Sequence, residues 1–112
     1  MKAVLVQAPL AVEVVDMPKP EITAADDVLI KVRYGGICGS DIGIFSGSNS
    51  FATYPRIIGH EFAGIVEAVG SGVDDLAPGD LVSVDIVNSC GHCYACRTGH
   101  HNVCKDLEVT GV

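Results

Sequence analysis

Val28-Leu-Ile-Lys-Val-Arg-Tyr34 puts Val28, Ile30 and Val32 on one side of an extended chain and Leu29, Lys31 and Arg33 on the other. A period of two marks a strand with one buried face. Gly35-Gly36 ends it. Similar runs recur outward in both directions. Residues 1–7 and 10–16 read as two strands joined by a turn at Ala8-Pro9. Met17-Pro-Lys-Pro20 is an extended connector, because each proline fixes φ and lacks a donor. Downstream, Arg56-Ile-Ile58, Phe62-Ala-Gly-Ile-Val-Glu-Ala-Val69 and Leu81-Val-Ser-Val-Asp-Ile-Val87 read as strands, and Leu107 to Val112 begins another. Gly70-Ser-Gly72 and Leu76-Ala-Pro-Gly-Asp80 supply the turns between them. Cys38 to Phe45 reads as a short helix, capped by Ser40 or Asp41 and stopped by Gly47. About seven short strands without a long amphipathic helix predict a mainly β barrel or sandwich.

With 112 residues, 48% of them hydrophobic, the chain can build one core and one domain, 1–112. No run approaches the ~18 consecutive apolar residues of a membrane helix. The start, MKAVLVQAPLAVEVV, lacks the long apolar stretch of a signal peptide, so a cytoplasmic location is expected. Fourteen acidic residues face seven scattered bases, a formal charge of −7. Nucleic acid and anionic membrane are therefore poor partners. The phosphates of any dinucleotide would also find few cations here. The abrupt end at Thr110-Gly-Val112, inside an apolar run, suggests a domain incomplete at its C-terminus.

Four of the five cysteines cluster. Cys90-Gly-His-Cys93-Tyr-Ala-Cys96, followed by Cys104, gives C-x2-C-x2-C-x7-C within a polar lobe, 88–105. Zinc prefers four soft ligands in a tetrahedron, and a C-x2-C turn aims two sulfurs at one point. Four thiolates close the shell, so such a zinc is structural rather than catalytic. An iron–sulfur cluster or a disulfide pair would draw on the same residues. His92, His100 and His101 then read as exposed loop histidines.

The fifth cysteine, Cys38, stands in Gly36-Ile-Cys-Gly-Ser-Asp41, and His60 stands in Gly59-His-Glu61 about twenty residues on. A lone cysteine or histidine is usually a packing residue. The pair, each following a strand-like segment and a glycine, also suits a zinc with an open position. In that arrangement Asp41 orients the His60 ring through its second nitrogen, Ser40 passes the proton of the substrate alcohol, and Glu61 approaches or supports the metal. A third protein ligand is not evident.

These motifs together resemble the zinc-containing medium-chain dehydrogenase family over the whole chain. The matching pieces are Gly36 to Asp41, Tyr54-Pro-Arg-Ile-Ile-Gly-His-Glu61, Phe62 to Val66, Val69-Gly-Ser-Gly72, Pro78-Gly-Asp80 and the four-cysteine lobe, in the family's order. The tone is nearest the polyol, sugar-acid and threonine dehydrogenase branch. The resemblance implies a GroES-like, partly open β-barrel that forms the N-terminal catalytic domain, with a separate Rossmann domain to follow. It implies Cys38, His60 and Glu61 at a catalytic zinc, Ser40 in a proton relay, and Cys90, Cys93, Cys96 and Cys104 at a structural zinc. It further implies about two zinc ions per full-length chain, NAD or NADP bound mainly by the missing domain, a small-molecule alcohol, polyol or sugar-acid substrate, and a homodimer or homotetramer. Phe45, Phe51 and Tyr54 would shape the substrate pocket. Two departures stand out. Gly43 occupies the position where many members carry a histidine that continues the relay. The family's third zinc ligand (Cys or Glu) and the whole dinucleotide domain are expected beyond Val112, since Gly70-Ser-Gly72-Val-Asp-Asp75 is only half a G-x-G-x-x-G, with no helix after it, and reads as a turn. A non-enzymatic GroES-like zinc module acting in assembly or partner binding is the competing expectation. A zinc-free quinone-reductase relative is a third, against which the cysteine lobe argues.

Overall fold

The computed structural model describes residues 1–112. Its strands are β1 (Lys2–Ala8), β2 (Ala11–Asp16), β3 (Val28–Gly35), β4 (Arg56–Ile57), β5 (Phe62–Val69), β6 (Leu81–Ser83), β7 (Val87–Asn88) and β8 (Glu108–Val109). Two short helices, α1 (Gly39–Ser46) and α2 (Tyr94–Arg97), and a 3-10 turn at His101–Val103 complete the chain. The strands form three antiparallel sheets, in the orders β2-β1-β4, β3-β5-β6 and β7-β8. The mainly β, partly open architecture expected from the sequence is present.

Two expectations at the strand level need correction. The apolar run Leu81 to Val87 is not one strand. Leu81–Ser83 pairs with Ala63–Ile65 of β5, whereas Val87–Asn88 pairs with Glu108–Val109. Between them the chain leaves one sheet for another, and the Asp85 carboxylate accepts the Val87 N–H at 3.0 Å across the bend. The buried face predicted for β3 also holds only in its first half. Val28 and Ile30 are half-buried, but Val32 is 55% exposed. The ladder with β5 shifts register between Leu29 and Ile30 and again between Val32 and Tyr34. The first shift leaves Glu67 of β5 unpaired and the second leaves Arg33 of β3 unpaired, and each breaks the alternation of its own strand.

The helix begins at Cys38 rather than at Ser40 or Asp41. Cys38 is the extended residue before the first turn, and the Asp41 carboxylate reaches back to accept its N–H at 2.8 Å. That satisfies one of the donors a helix start leaves free. Gly47, at φ 77°, ends the helix in the left-handed region where a side chain is strained. The Leu10 N–H donates to the Phe45 carbonyl at 2.7 Å, and the Tyr54 hydroxyl to the Ile44 carbonyl at 2.5 Å. These bonds dock α1 against the first hairpin and the loop before β4. Ile44 of α1, Val6 of β1 and Val66 of β5 are the fully buried side chains at the centre.

Candidate metal centres

The packing of α1 against the first sheet carries Cys38 to the end of β3 and sets it beside the start of β5. There a ligand atom each from Cys38, His60 and Glu61 lies within 4.8 Å of the others. The cysteine is half-buried, the histidine buried and the glutamate exposed. Ser40 Oγ stands 3.3 Å from His60 Nε2. On the other side of the ring, His60 Nδ1 faces Asp41 Oδ1 at 3.5 Å, and both atoms are buried without a hydrogen-bond partner. A buried pair left just beyond hydrogen-bond length is costly. It is also the arrangement of a ligating histidine, whose second nitrogen gives its proton to a carboxylate. Thiolate, imidazole and carboxylate together suit zinc.

The electrostatics point the same way. Hydrogen bonds from the Ser40 hydroxyl and its backbone N–H, and then from the His60 ring, hold the Cys38 thiol below its ordinary value. Burial pushes His60 down, but its bond to Cys38 and the charge of Asp41 outweigh burial and leave it raised. A second tie comes from far along the chain. The Gly59 N–H donates to the Gly111 carbonyl at 3.2 Å, so the segment after β8 rests against the residues leading into His60.

In the lobe, all four cysteine sulfurs lie within 4.8 Å of one another. Cys93 and Cys96 are 3.5 Å apart, Cys93 and Cys104 3.9 Å, and Cys90 and Cys96 4.0 Å. Four sulfurs at the ~2.3 Å zinc–sulfur distance, on the corners of a tetrahedron, stand about 3.8 Å apart. The sulfurs are too distant for disulfides, whose bond is ~2.05 Å, and close enough for one ion. Backbone N–H groups of Cys96 and Lys105 pull the Cys93 thiol down to about 6. Those of Cys90 and Asp106, at 3.3 and 3.4 Å from its sulfur, lower Cys104. Burial, together with neighbouring Cys93 and Cys104, pushes Cys96 up to about 11. Donors aimed at sulfur favour thiolates, the form that binds metal. His92, His100 and His101 are exposed; each makes one bond within the lobe, to the Cys90 carbonyl, the Thr98 hydroxyl and the Ser89 hydroxyl.

The three aromatic residues expected at a substrate pocket go separate ways. Phe45 lines a groove of about 400 Å³ with Ile37, Asp41, Ile42 and Ile58. Tyr54 is occupied by its bond to Ile44, and Phe51 is 91% exposed. Gly70-Ser-Gly72 is the turn the sequence suggested. The Gly70 N–H is taken by the Asp27 carbonyl and that of Gly72 by Ala25, both at 2.8 Å. A phosphate cradle needs those donors free, so this loop does not fit a dinucleotide. The close approach of Gly36 to Glu61 and of Gly111 to Gly59 was not legible in the sequence. A glycine at a strand end looks like a turn residue until its neighbour across the ladder is known.

Residues 24–112 match the alcohol dehydrogenase GroES-like domain. The chain is 50% identical to the starvation-sensing protein RspB of Escherichia coli (strain K12), an alignment that takes in 100% of this chain and 33% of that protein. Among solved structures, galactitol-1-phosphate dehydrogenase from Escherichia coli superposes with a TM-score of 0.94 at 38% identity, over 99% of this chain and 32% of that one. The short chain alcohol dehydrogenase rspB from E. coli CFT073, complexed with NADH, superposes with a TM-score of 0.89 at 46% identity, over 100% of this chain and 32% of that one. The chain thus spans about a third of the length of the proteins it matches.

Proposed function

The chain belongs to the zinc-containing medium-chain dehydrogenases as their N-terminal GroES-like domain, and we propose that the whole protein oxidises a small-molecule alcohol, polyol or sugar acid to the carbonyl compound with NAD or NADP. The observation that carries the reading is the convergence of Cys38, His60 and Glu61, with Ser40 against the histidine ring. Cys38 and His60, with Glu61 beside them, would hold a zinc ion, which would supply Lewis acidity toward an alcohol oxygen. The nicotinamide supplies the hydride acceptor, bound by residues other than these. Ser40 receives the substrate hydroxyl proton and hands it on. Gly43 has no side chain to take it further, so the proton leaves Ser40 to water or to another group. Asp41 fixes the ring of His60 from behind. Cys90, Cys93, Cys96 and Cys104 of the lobe would hold a second zinc, and four thiolates would leave it no position for substrate. A polyol substrate draws support from the likeness to galactitol-1-phosphate dehydrogenase, and a nicotinamide cofactor from the likeness to the NADH-bound rspB. The working protein is a cytoplasmic homodimer or homotetramer.

Metal analysis tests the site. The full-length protein is expected to hold about two zinc ions per chain, falling to about one in Cys38→Ala with the fold retained. A value of one that Cys38→Ala leaves unchanged would turn the reading toward a zinc module acting in assembly or partner binding.

A further inference from the structure

At the end of β3 the chain passes close to the start of β5. Gly35 pairs with Phe62, and the Gly36 N–H donates to the Glu61 carbonyl at 2.6 Å. A Cβ at Gly36 would lie 2.7 Å from Glu61 Oε2 and 3.1 Å from Glu61 Cβ. Gly36 is not at positive φ, so its backbone conformation is open to any residue. What only glycine supplies here is room. The neighbouring glycines differ, because Gly35 and Gly39 have nothing within 4 Å of an added Cβ. The nearest obstacle at Gly36 is the end of a flexible side chain. The fold can therefore absorb a methyl group when the Glu61 carboxylate swings aside and the Glu61 Cβ gives by a few tenths of an ångström. That carboxylate is also one of the three groups that converge with Cys38 and His60.

We infer that Gly36 is a positioning residue of the Cys38–His60–Glu61 centre: the missing side chain keeps open the space in which the Glu61 carboxylate turns toward the metal. The inference rests on reading those three residues as a metal site. It separates two uses of one glycine, since a residue kept for the turn would matter to folding, whereas a residue kept for space matters to Glu61 alone.

The test is a double-mutant cycle in the full-length protein, Gly36→Ala, Glu61→Ala and both together, with Gly35→Ala as the control. Zinc affinity at the Cys38 centre is read by chelator competition, and the visible spectrum of the cobalt-substituted protein reports the ligand field. Gly36→Ala is expected to weaken zinc about 10-fold and to shift the cobalt spectrum as Glu61→Ala does. The double variant should be no weaker than either single one, and Gly35→Ala should match the wild type. Should Gly36→Ala lower the melting temperature, adding Glu61→Ala should raise it part of the way back, because the obstructing carboxylate is gone while the Cβ at residue 61 stays. Wild-type affinity in Gly36→Ala, losses that multiply in the double variant, or a low melting temperature that Glu61→Ala does not relieve would each overturn the inference alone. A wild-type protein that binds metal only at the four cysteines would overturn the site reading and the inference with it.

Discussion

Asp41 holds two groups with two oxygens. Oδ2 accepts the Cys38 N–H at 2.8 Å and starts α1, while Oδ1 faces His60 Nδ1 at 3.5 Å. The side chain is buried, so neither oxygen has water as a substitute. Two substitutions separate the tasks. Asp41→Asn keeps an acceptor for the helix start but removes the charge behind the histidine. It is expected to melt within about 1 kcal/mol of the wild type while weakening the Cys38-centre zinc by roughly 10- to 100-fold. Asp41→Ala loses both and should melt lower as well. Thermal unfolding and chelator competition on the two variants check this, and wild-type zinc affinity in Asp41→Asn would reduce Asp41 to a helix cap. The sequence offered this residue for both tasks, as the cap of the helix in place of Ser40 and as the partner of the His60 ring, but the cap it proposed was Asp41 itself and not Asp41 reaching back from the third helical position. It did not show that Cys38 itself is the residue being capped. Nor did it show the room at Gly36, which depends on which residue lies across a bulged ladder.

The element that opens β3 is held by a carboxylate of another kind. Asp27 Oδ2 accepts the N–H groups of Thr23 and Ala24, each at 2.8 Å, and the Thr23 hydroxyl at 2.9 Å. The two backbone bonds, then the hydroxyl, hold the Asp27 carboxyl below its ordinary value. A lowered carboxyl favours the folded state above the unfolded value of about 3.9, and that contribution fades as pH falls through the folded value. Asp27→Asn should therefore melt below the wild type at pH 7, and the gap should close as the pH drops below about 4. Acid also releases zinc, but from both proteins alike, so their difference isolates Asp27. Melting curves from neutral to acid pH measure it, and a gap that ignores pH would assign the effect to shape rather than charge. This turn also anchors Gly70 and Gly72 through the carbonyls of Asp27 and Ala25. The start of β3 was readable because alternation is local. The break inside Leu81 to Val87 was not, since an apolar run shows what a segment is made of and not which strand it meets.

Across the whole molecule, the two candidate centres are joined by a thin connection. Val87–Asn88 and Glu108–Val109 form a ribbon only two residues long, with the cysteine lobe beyond it. The Asn88 side chain donates to the Thr110 hydroxyl at 3.0 Å and the Thr110 N–H to the Ile86 carbonyl at 3.1 Å. One step further, the Gly111 carbonyl accepts the Gly59 N–H, next to His60. A ribbon this short does not hold a polar lobe by itself, so a metal held by the four cysteines would supply most of its order. The lobe's ligands were legible because they lie within one short segment, whereas the contact between Gly111 and Gly59 joins distant parts of the chain. A measurable consequence follows for Cys96→Ser in the full-length protein. Serine oxygen is a poor replacement for a buried thiolate, so about one zinc should be lost and amide protection should collapse through the lobe. The Gly59 amide should then exchange faster as well, because its acceptor sits on the freed segment. Amides paired between β3 and β5, which lean on neither, should keep wild-type protection. Hydrogen exchange read residue by residue decides the matter, and a Gly59 amide as slow as in the wild type, with the lobe unfolded, would show that His60 is held without help from it.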